Sequence, residues 1–421
     1  MLASGQHLQQ DSDRPSCVKK SSYSVATGQE SFCKRICVDF GTSKLAGSWQ
    51  ISYADESFYQ EPNDIDFGNN ETKLPNAATW VDGEFIFGRE LENRLLREEL
   101  AEDLVIRDAK LAIFADPMTQ DIKRQVDAQL GALGKTKHDL VVCILRHMIS
   151  EAKIAMEDNH GYSHDLNEMP MKLFLSVPQM WDAAANRVMS VAAEAAGAEQ
   201  CELVYEPLCA AVQVLAEQLK PLHDPRITSW FKPGDEIAIA DLGAGTGDFV
   251  RYRFLSDETE GENVRLKTMD APDGALCGSD YINKAFMRAL EAAADISALA
   301  NKLGFSIADL KARVNTGFEK KKLEFRDDKP NYDFVVLGGR NARQNFQKID
   351  VTPEQMRSFF DEVIVDVVNK LKSIMQKSEG HRVRAIILTG GFGSSSYLQK
   401  CLTDAFERQN VRILAPRHKK L

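Results

Sequence analysis

The sequence predicts an α/β protein of two lobes, and three observations support that fold class. Strand-like and helix-like apolar patterns alternate along most of the 421 residues. Residues 35–53 resemble residues 236–254, since each segment has an apolar strand, an Asp, a Gly-containing turn with Thr and a second strand. A unit that recurs about 200 residues later indicates a duplication, and the chain length suits two lobes.

The composition is that of an ordinary globular protein, and it limits the partners to expect. Apolar residues make up 43% and charged residues 27%, with a net charge of −10 at pH 7. An acidic surface argues against nucleic acid and against anionic membrane as main partners. No apolar run reaches the roughly 20 residues of a membrane span, and the N-terminus lacks the apolar core of a signal peptide. We therefore expect a soluble cytoplasmic protein, with the nucleus as a second possible location.

The eight cysteines show no metal-binding or redox spacing. No C-x-x-C pair occurs, and no histidine stands at a zinc-finger spacing from any of them. We expect reduced, mostly buried thiols.

The pattern of elements also predicts the domain limits. Residues 1–34 are polar and aperiodic, and we expect a disordered tail there. Lobe I is expected over residues 35–230 and lobe II over residues 231–421, with a flexible bridge near residues 223–234. The expected helices cover 88–113, 139–158, 183–196, 208–219, 280–300, 306–325 and 353–377, and later strands cover 172–178, 203–205, 384–389 and 411–414.

The first candidate phosphate site is the turn D-F-G-T-S after the first strand. Gly41 lets the backbone approach a phosphate closely, and backbone N–H groups with the hydroxyls of Thr42 and Ser43 can bind its oxygens. We expect Asp39 to face a magnesium ion through bound water rather than directly, because Mg²⁺ usually keeps several waters. An ordinary hairpin turn explains the same residues equally well.

The second candidate phosphate site is the turn D-L-G-A-G-T. Gly243, Ala244 and Gly245 are small enough for a tight turn with convergent N–H groups, and Thr246 adds a hydroxyl. Asp241 ends the preceding strand, where it can orient a water or accept its proton. A Gly-rich hairpin without any ligand is the alternative.

A glycine pair near the end of the chain is the third candidate. Gly390 and Gly391 follow an apolar strand, and such a turn admits a flat base or a phosphate. The chain has no G-x-x-x-x-G-K-[ST], no G-x-G-x-x-G opening a helix after an N-terminal strand, no H-E-x-x-H and no G-x-S-x-G. These absences argue against P-loop and dinucleotide-binding folds and against the corresponding hydrolases.

Taken in order, the two Asp-Gly-Thr hairpins and the Gly-Gly turn resemble the superfamily of sugar kinases, actin and heat-shock 70 kDa proteins. The resemblance implies the actin-like ATPase fold, a duplicated ribonuclease H-like unit with a nucleotide cleft between its lobes. It also implies ATP or ADP with Mg²⁺ in that cleft, where each hairpin holds one side of the phosphates.

Other segments resemble the heat-shock 70 kDa chaperones in particular. Residues 173–212 are similar to the family's stretch from a V-P strand through an Ala-rich helix to E-P-x-x-A-A. This implies that Glu206 lies near the magnesium waters and that Pro207 belongs to an interlobe switch. Lys110 ends a D-A-K motif whose lysine contacts the γ-phosphate and the attacking water in that family, and a solvated helix lysine is its alternative.

Three more segments imply the remaining nucleotide contacts. The L-C-G-S-D turn with Gly278 resembles the family's L-G-G-x-D. The helix with F-E-K-K-K resembles its E-x-x-K helix, so Glu319 and Lys322 are expected at the ribose and adenine, with a solvated charge run as the alternative. The L-T-G-G-F stretch resembles the adenosine motif and supplies Gly390 and Gly391.

The chain departs from the family pattern at several places. Ala244 and Cys277 replace usual glycines, and Leu323 and Ser394 replace arginines that pack against adenine. We expect the Ala244 methyl to crowd the phosphates or push the loop outward, and adenine binding to be weaker. The sequence also ends at Leu421, before the family's further helix and substrate-binding domain, so peptide clamping of the usual kind is not expected.

The sequence therefore predicts an ATP-binding, weakly ATP-hydrolysing chaperone relative whose partners are nucleotide, client proteins and co-chaperones. Its predicted catalytic residues are Asp39, Lys110, Glu206, Asp241 and Thr246. Two alternatives stay open. One is a pseudo-ATPase interaction protein that does not hydrolyse nucleotide. The other is a small-molecule kinase of the same superfamily, for which no base or sugar-pocket signature is evident.

Overall fold

The computed structural model describes residues 33–52, 62–114, 117–158, 169–219, 232–255, 265–326, 332–338, 346–377 and 383–415. The expected tail over residues 1–34 lies outside the described residues except for its last two, which begin a strand rather than ending a disordered segment. The expected bridge near residues 223–234 lies outside them except for its last three residues.

The described residues contain sixteen strands and twelve α-helices. The strands are β1 (Cys33–Phe40), β2 (Lys44–Ser52), β3 (Asn63–Asp64), β4 (Lys73–Pro75), β5 (Ala78–Val81), β6 (Glu84–Phe87), β7 (Met171–Val177), β8 (Gln200–Tyr205), β9 (Glu236–Leu242), β10 (Gly247–Leu255), β11 (Arg265–Thr268), β12 (Asp273–Ala275), β13 (Phe334–Leu337), β14 (Phe346–Ile349), β15 (Val383–Thr389) and β16 (Arg412–Leu414). The helices are α1 (Gly88–Leu96), α2 (Ala109–Ile113), α3 (Gln120–Ala132), α4 (Lys137–Glu157), α5 (Ala183–Ala195), α6 (Glu206–Leu219), α7 (Asp280–Ala293), α8 (Ile296–Leu303), α9 (Ile307–Leu323), α10 (Pro353–Gln376), α11 (Gly390–Gly393) and α12 (Ser396–Phe406).

Two six-stranded sheets repeat one connectivity. The first has the order β3-β2-β1-β7-β8 with β4 beside β2, and the second has the order β11-β10-β9-β15-β16 with β12 beside β10. In each sheet an antiparallel hairpin comes first, and two parallel strands then follow on its open side. The predicted two-lobed α/β fold and both predicted hairpins are confirmed.

The two sheets are buried differently. Along β1, the buried residues Ile36, Val38 and Phe40 alternate with exposed residues. The helices α4 and α5 pack on the face of the sheet that carries the buried residues, and the exposed residues lie on the other face. In β9, by contrast, six of the seven residues are buried. One face of the second sheet packs against the core that includes α10, and α6 packs on the other face. The helix that follows the first sheet thus covers the second.

Two predicted helices are interrupted. The segment 88–113 forms α1, a short 3-10 helix and α2, because Glu98 and Asp108 have φ of 59° and 56° and a left-handed residue cannot continue a right-handed helix. The segment 280–300 divides into α7 and α8, since Asp295 caps the second helix by accepting from the Ala298 N–H. The other predicted helices are confirmed to within two residues, and the predicted later strands to within three.

The cysteines are less buried than predicted. Seven free thiols lie in the described residues, and Cys277 is buried among them, while Cys37 and Cys209 are exposed and the rest are half-buried. The prediction of mostly buried thiols was wrong because exposed faces of β1 and α6 carry two of them. None of the described helices is long and apolar enough to cross a membrane.

Candidate functional site

The first hairpin turn is held tightly by its neighbours. A Cβ added at Gly41 would lie 2.2 Å from the carbonyl oxygen of Lys44, so only glycine fits there. Buried Asn76 fixes the turn from outside, because its Nδ2 donates to the Gly41 carbonyl at 2.7 Å and its backbone N–H donates to the Ser43 carbonyl at 2.8 Å. Thr42 is buried and Ser43 is exposed.

A cluster of polar side chains lies beside this turn. Lys110, on α2, donates from Nζ to both carboxylate oxygens of Glu206 at 2.7 and 2.9 Å. Glu206 is the first residue of α6. The Ser176 hydroxyl, at the end of β7, donates to Asp39 at 2.8 Å and lies 3.4 Å from Glu206. Lys110 is only 6% exposed, so the alternative of a solvated helix lysine is wrong.

The electrostatics of this cluster are dominated by burial and by an excess of acid. Burial alone lowers the pKa of Lys110, but Glu206, Asp39 and Asp248 together raise that pKa overall, so the lysine keeps its proton. Burial raises the pKa of Glu206, and nearby Asp39 and Asp241 add to the rise although Lys110 opposes it. Four carboxyl groups, those of Glu206, Asp39, Asp241 and Asp248, thus interact electrostatically with one ammonium group.

The second hairpin turn is held by backbone bonds from two directions. Gly243 donates its N–H to the Thr246 carbonyl at 3.0 Å. The carbonyls of Gly243 and Ala244 accept from the N–H groups of Ser279 and Asp280 at 3.1 and 2.9 Å. A Cβ added at Gly278 would lie 2.1 Å from the Ala244 carbonyl oxygen, so the two segments pack backbone to backbone.

The glycine pair after β15 supports the same turn. Gly390 has φ of +73°, and a Cβ added there would lie 2.3 Å from the Leu242 carbonyl oxygen and 2.8 Å from Oδ1 of Asp241. Thr389 is the register partner of Asp241 across β15 and β9. Gly391, in contrast, has open space where a Cβ would point. Gly390 therefore packs against the end of β9 that carries Asp241, and Gly391 faces open space.

The two turns meet each other. A Cβ added at Gly245 would lie 3.0 Å from Leu111 and 3.1 Å from the methyl group of Thr42. The structure thus brings together the predicted residues of both hairpins and of α2 and α6.

The predicted nucleoside residues form a second group around α9. Lys322 is 5% exposed, forms an ion pair with Glu319 at 2.6 Å and donates to the Ser279 carbonyl at 3.1 Å. Glu319 also accepts from Asn283 Nδ2 at 2.8 Å. For Lys322 the alternative of a solvated charge run is therefore wrong, because its ammonium group ties α9 to the turn at Gly278.

Asp248 is a candidate site residue that the sequence reasoning missed. It stands directly opposite Asp241 in the β9–β10 register and is 2% exposed, and its Oδ1 has no hydrogen-bond partner among the described residues. Burial, helped by Asp241, raises the pKa of Asp248 to about 7. The hairpin register is the sequence signal that could have identified Asp248, because a four-residue turn over 243–246 pairs residue 241 with residue 248.

A loop from the first sheet reaches the second. The Tyr252 hydroxyl of β10 donates to Oε1 of Gln179 at 2.6 Å, and a Cβ added at Gly274 of β12 would lie 2.3 Å from the sulfur of Met180. Beside this loop is a small cavity of about 20 Å³. Residues of both lobes line it, namely Lys110, Leu111, Phe114, Thr119, Pro178, Met180, Trp181, Thr246, Ala275 and Leu276.

Comparison with known proteins supports a family assignment for the chain. No family model matches it. Heat shock 70 kDa protein 12A from Homo sapiens is 22% identical over 96% of this chain and 70% of that protein. This similarity supports assignment of the chain to the heat-shock 70 kDa family as a divergent member. The predicted resemblance is thereby confirmed, and with it the actin-like ATPase fold.

Two other relatives agree with this assignment. Heat shock 70 kDa protein 12B from Homo sapiens is 23% identical over 93% of the chain and 67% of that protein. Chaperone protein DnaK from Carsonella ruddii (strain PV) is 23% identical over 77% of the chain and 49% of that protein. The chain therefore spans about two thirds of the first two relatives and about half of the third.

The structure accommodates some departures from the heat-shock 70 kDa pattern. The Cys277 sulfur lies 2.7 Å from where a Cβ would stand at Gly247, so the side chain occupies space that this glycine leaves free. Leu323 is 68% exposed at the end of α9, and the Ser394 hydroxyl donates to the Gly391 carbonyl. Neither side chain carries a positive charge.

Proposed function

We propose that this chain binds ATP or ADP with Mg²⁺ between its two hairpin turns and hydrolyses ATP slowly. The contact of the Gly245 turn with Thr42 supports this most directly, because it brings together two glycine-containing turns whose backbone N–H groups can bind phosphate. Carboxylates end both strands beside those turns, and one buried lysine lies between them. Backbone donors, a cation and acidic groups are what phosphoryl transfer requires.

The residues present fit a hydrated magnesium ion. Four acidic groups, those of Asp39, Glu206, Asp241 and Asp248, interact electrostatically with a single ammonium group, and Oδ1 of Asp248 lacks a partner among the described residues. Among those residues no group of three or more His, Cys, Asp or Glu side chains converges as direct metal ligands. Carboxylates that stand back from the ion hold Mg²⁺ through its waters. The ion supplies charge neutralisation for the phosphates when bound.

Each predicted site residue then has a defined role. Thr42, Ser43 and Thr246 bind phosphate oxygens through hydroxyl and backbone groups, together with the backbone of Gly41, Gly243, Ala244, Gly245 and Gly278. Asp241 orients the attacking water. Lys110 stabilises charge on the terminal phosphate, although in this structure its ammonium group is paired with Glu206. Breaking that pair on each turnover is one reason to expect slow hydrolysis.

The nucleoside contacts are proposed from the second group of residues. Gly391 presents open backbone, where a flat base can approach, while Gly390 holds the turn behind it. Glu319 and Lys322 lie on one face of α9. Because Leu323 and Ser394 replace cationic side chains, we expect weaker adenine binding than in relatives with arginine at these positions.

The wider biology is proposed from the relatives. Chaperone protein DnaK is a chaperone by name, and we propose a chaperone-related role for this chain in the cytoplasm, with client proteins and co-chaperones as partners. We also propose lobe I over residues 35–230 and lobe II over residues 231–421, since the last strand of the first sheet is β8 and the second sheet begins with β9.

A second function is favoured by two specific observations. Lys110 is sequestered by both oxygens of Glu206, and Ala244 adds a methyl group to the second turn. A pseudo-ATPase that binds nucleotide without hydrolysing it, and signals through lobe closure, is compatible with both features.

Calorimetric titration with ATP and magnesium tests the proposed function. Wild type is compared with Asp241→Asn and with a matched control, Asp404→Asn, an exposed residue of α12. We expect the Asp241 change to weaken binding by about tenfold or more and the control to have no effect. Absence of ATP binding by folded wild type would contradict the proposal.

Phosphate release separates the two functions. If wild type hydrolyses ATP, Lys110→Ala should lower the rate by about a hundredfold. Binding without any phosphate release by the wild type would establish the pseudo-ATPase.

A further inference from the structure

Ser176 is a half-buried hydroxyl that no motif of the chain singles out. It is the penultimate residue of β7, which runs parallel to β1. The register pairs Val38 with Leu175. The next residues, Asp39 and Ser176, therefore lie side by side near the ends of the two strands. The Ser176 hydroxyl donates to Oδ1 of Asp39 at 2.8 Å.

The hydroxyl completes a continuous chain of polar contacts. Lys110 donates to Glu206, the nearest oxygen of Glu206 lies 3.4 Å from the Ser176 oxygen, and Ser176 donates to Asp39. This series of polar contacts joins α2, α6, β7 and β1, four elements that lie far apart in sequence. Ser176 is its one neutral side chain.

The geometry decides what this neutral link does. A serine hydroxyl has one proton, and the shorter of its two contacts, 2.8 Å against 3.4 Å, favours donation to Asp39. The oxygen of Ser176 also stands between the two carboxylates of Asp39 and Glu206, which would repel each other in direct contact. The bond occupies one oxygen of Asp39 and restricts the rotation of its carboxylate.

We propose that Ser176 is a positioning residue that orients Asp39 for the water shell of a divalent cation. This inference rests on the proposed function, since it assigns a support to the carboxylate that would face magnesium. Mutation of a group that holds a metal-facing side chain in place commonly lowers the affinity for the metal by about tenfold or more. Ser176 acts through Asp39 and does not touch nucleotide in this assignment.

The test measures how ADP binding depends on magnesium. Calorimetric titrations of ADP are made at several Mg²⁺ concentrations and in EDTA, with wild type, Ser176→Ala, Ser176→Thr and Ser48→Ala. Ser48 is the matched control, because it lies on β2 of the same sheet beside Cys37 and takes no part in the contacts among Lys110, Glu206, Ser176 and Asp39. Melting temperatures without ligand show whether each variant is folded.

The expected result is specific to the metal. Ser176→Ala should raise the Mg²⁺ concentration needed for half-maximal ADP binding by about tenfold and leave binding in EDTA unchanged. Ser176→Thr keeps the hydroxyl and should restore the wild-type value, and Ser48→Ala should match wild type. If the alanine variant does not fold, Ser176→Cys keeps the volume with a weaker donor and should give an intermediate shift.

Several results would overturn the inference. An unchanged magnesium requirement in Ser176→Ala, an equal loss of binding with and without magnesium, or failure of Ser176→Thr to restore the requirement would each do so. These outcomes differ from failure of the proposed function, in which wild type itself shows no magnesium-dependent binding and both proposals fall.

Discussion

The two hairpins of this protein have the same topology but are supported in different ways. The first turn, at Gly41, is held by the side chain and backbone of Asn76, and Asp39 just before it is exposed. The second turn is held by backbone segments at Gly278 and Gly390, and Asp241 just before it is half-buried. The helix α6, in addition, leaves the first sheet and covers the second. A duplicated unit has thus become one half with an exposed acidic side chain before its turn and one half in which that side chain is more closely packed.

The largest effect should come from the packed half. In Gly390→Ala the new methyl group would meet the Leu242 carbonyl in a backbone conformation with positive φ, and we expect a loss of about 3 kcal/mol in the free energy of unfolding. Gly391→Ala is the matched control, since open space surrounds that position. Urea denaturation of both variants checks this, and equal stability of the two would show that the second turn is not closely packed.

Asp248, on the second hairpin, should make the stability of the protein depend on pH, because its carboxyl group is buried. Burial raises its folded-state pKa to about 7, above its unfolded value, so its contribution to stability is complete below that unfolded value and is lost as the pH rises through about 7. Without magnesium, Asp248→Asn should therefore be more stable than wild type at pH 8, by about 2 kcal/mol, and nearly equal to it at pH 4. Thermal unfolding across this pH range measures the effect.

The exposed counterpart in the first hairpin provides the control for that experiment. Asp39→Asn places the same substitution on the half with the first hairpin, where the side chain is exposed. We expect a much smaller stability change at pH 8. A change as large as that of Asp248→Asn would remove the distinction between the two hairpins.

The contact between Met180 and Gly274 should couple the halves more weakly. Gly274→Ala forces the flexible Met180 side chain aside, and we expect a loss of about 1.5 kcal/mol that Met180→Ala largely restores in the double variant. Denaturation of both single variants and the double variant gives the coupling energy. Additive losses would mean that the loop does not press on β12.

The smallest effect is expected where the halves meet at the surface. Arg313 of α9 lies 3.4 Å from Glu98, and both side chains are partly exposed. Arg313→Ala should cost no more than about 0.5 kcal/mol, and the cost should disappear in high salt because exposed ion pairs are weak and screened. Denaturation at low and high salt tests this. A large loss of stability that does not depend on salt would contradict the expectation of a weak, exposed ion pair.

The local patterns predicted most of the fold. The hairpins, the strand after residue 171 and the capped helix at Thr352 follow from apolar periodicity, Gly-containing turns and capping residues. The break at Glu98 and Asp108 was missed, because nothing in an amphipathic pattern reports a residue with positive φ. Candidate residues next to a turn were found from the sequence, whereas Asp248 lay inside a strand and required the register.

The amino-acid pattern alone is sufficient for the duplicated hairpins, the acidic strand ends and the glycine turns, because each depends on neighbours a few residues away. The Lys110–Glu206 pair joins residues 96 positions apart, and Ser176 and Asp39 are 137 apart. Such contacts depend on which strands lie side by side and on how α6 crosses between the sheets. Packing of distant segments therefore sets the charges and burial of the site.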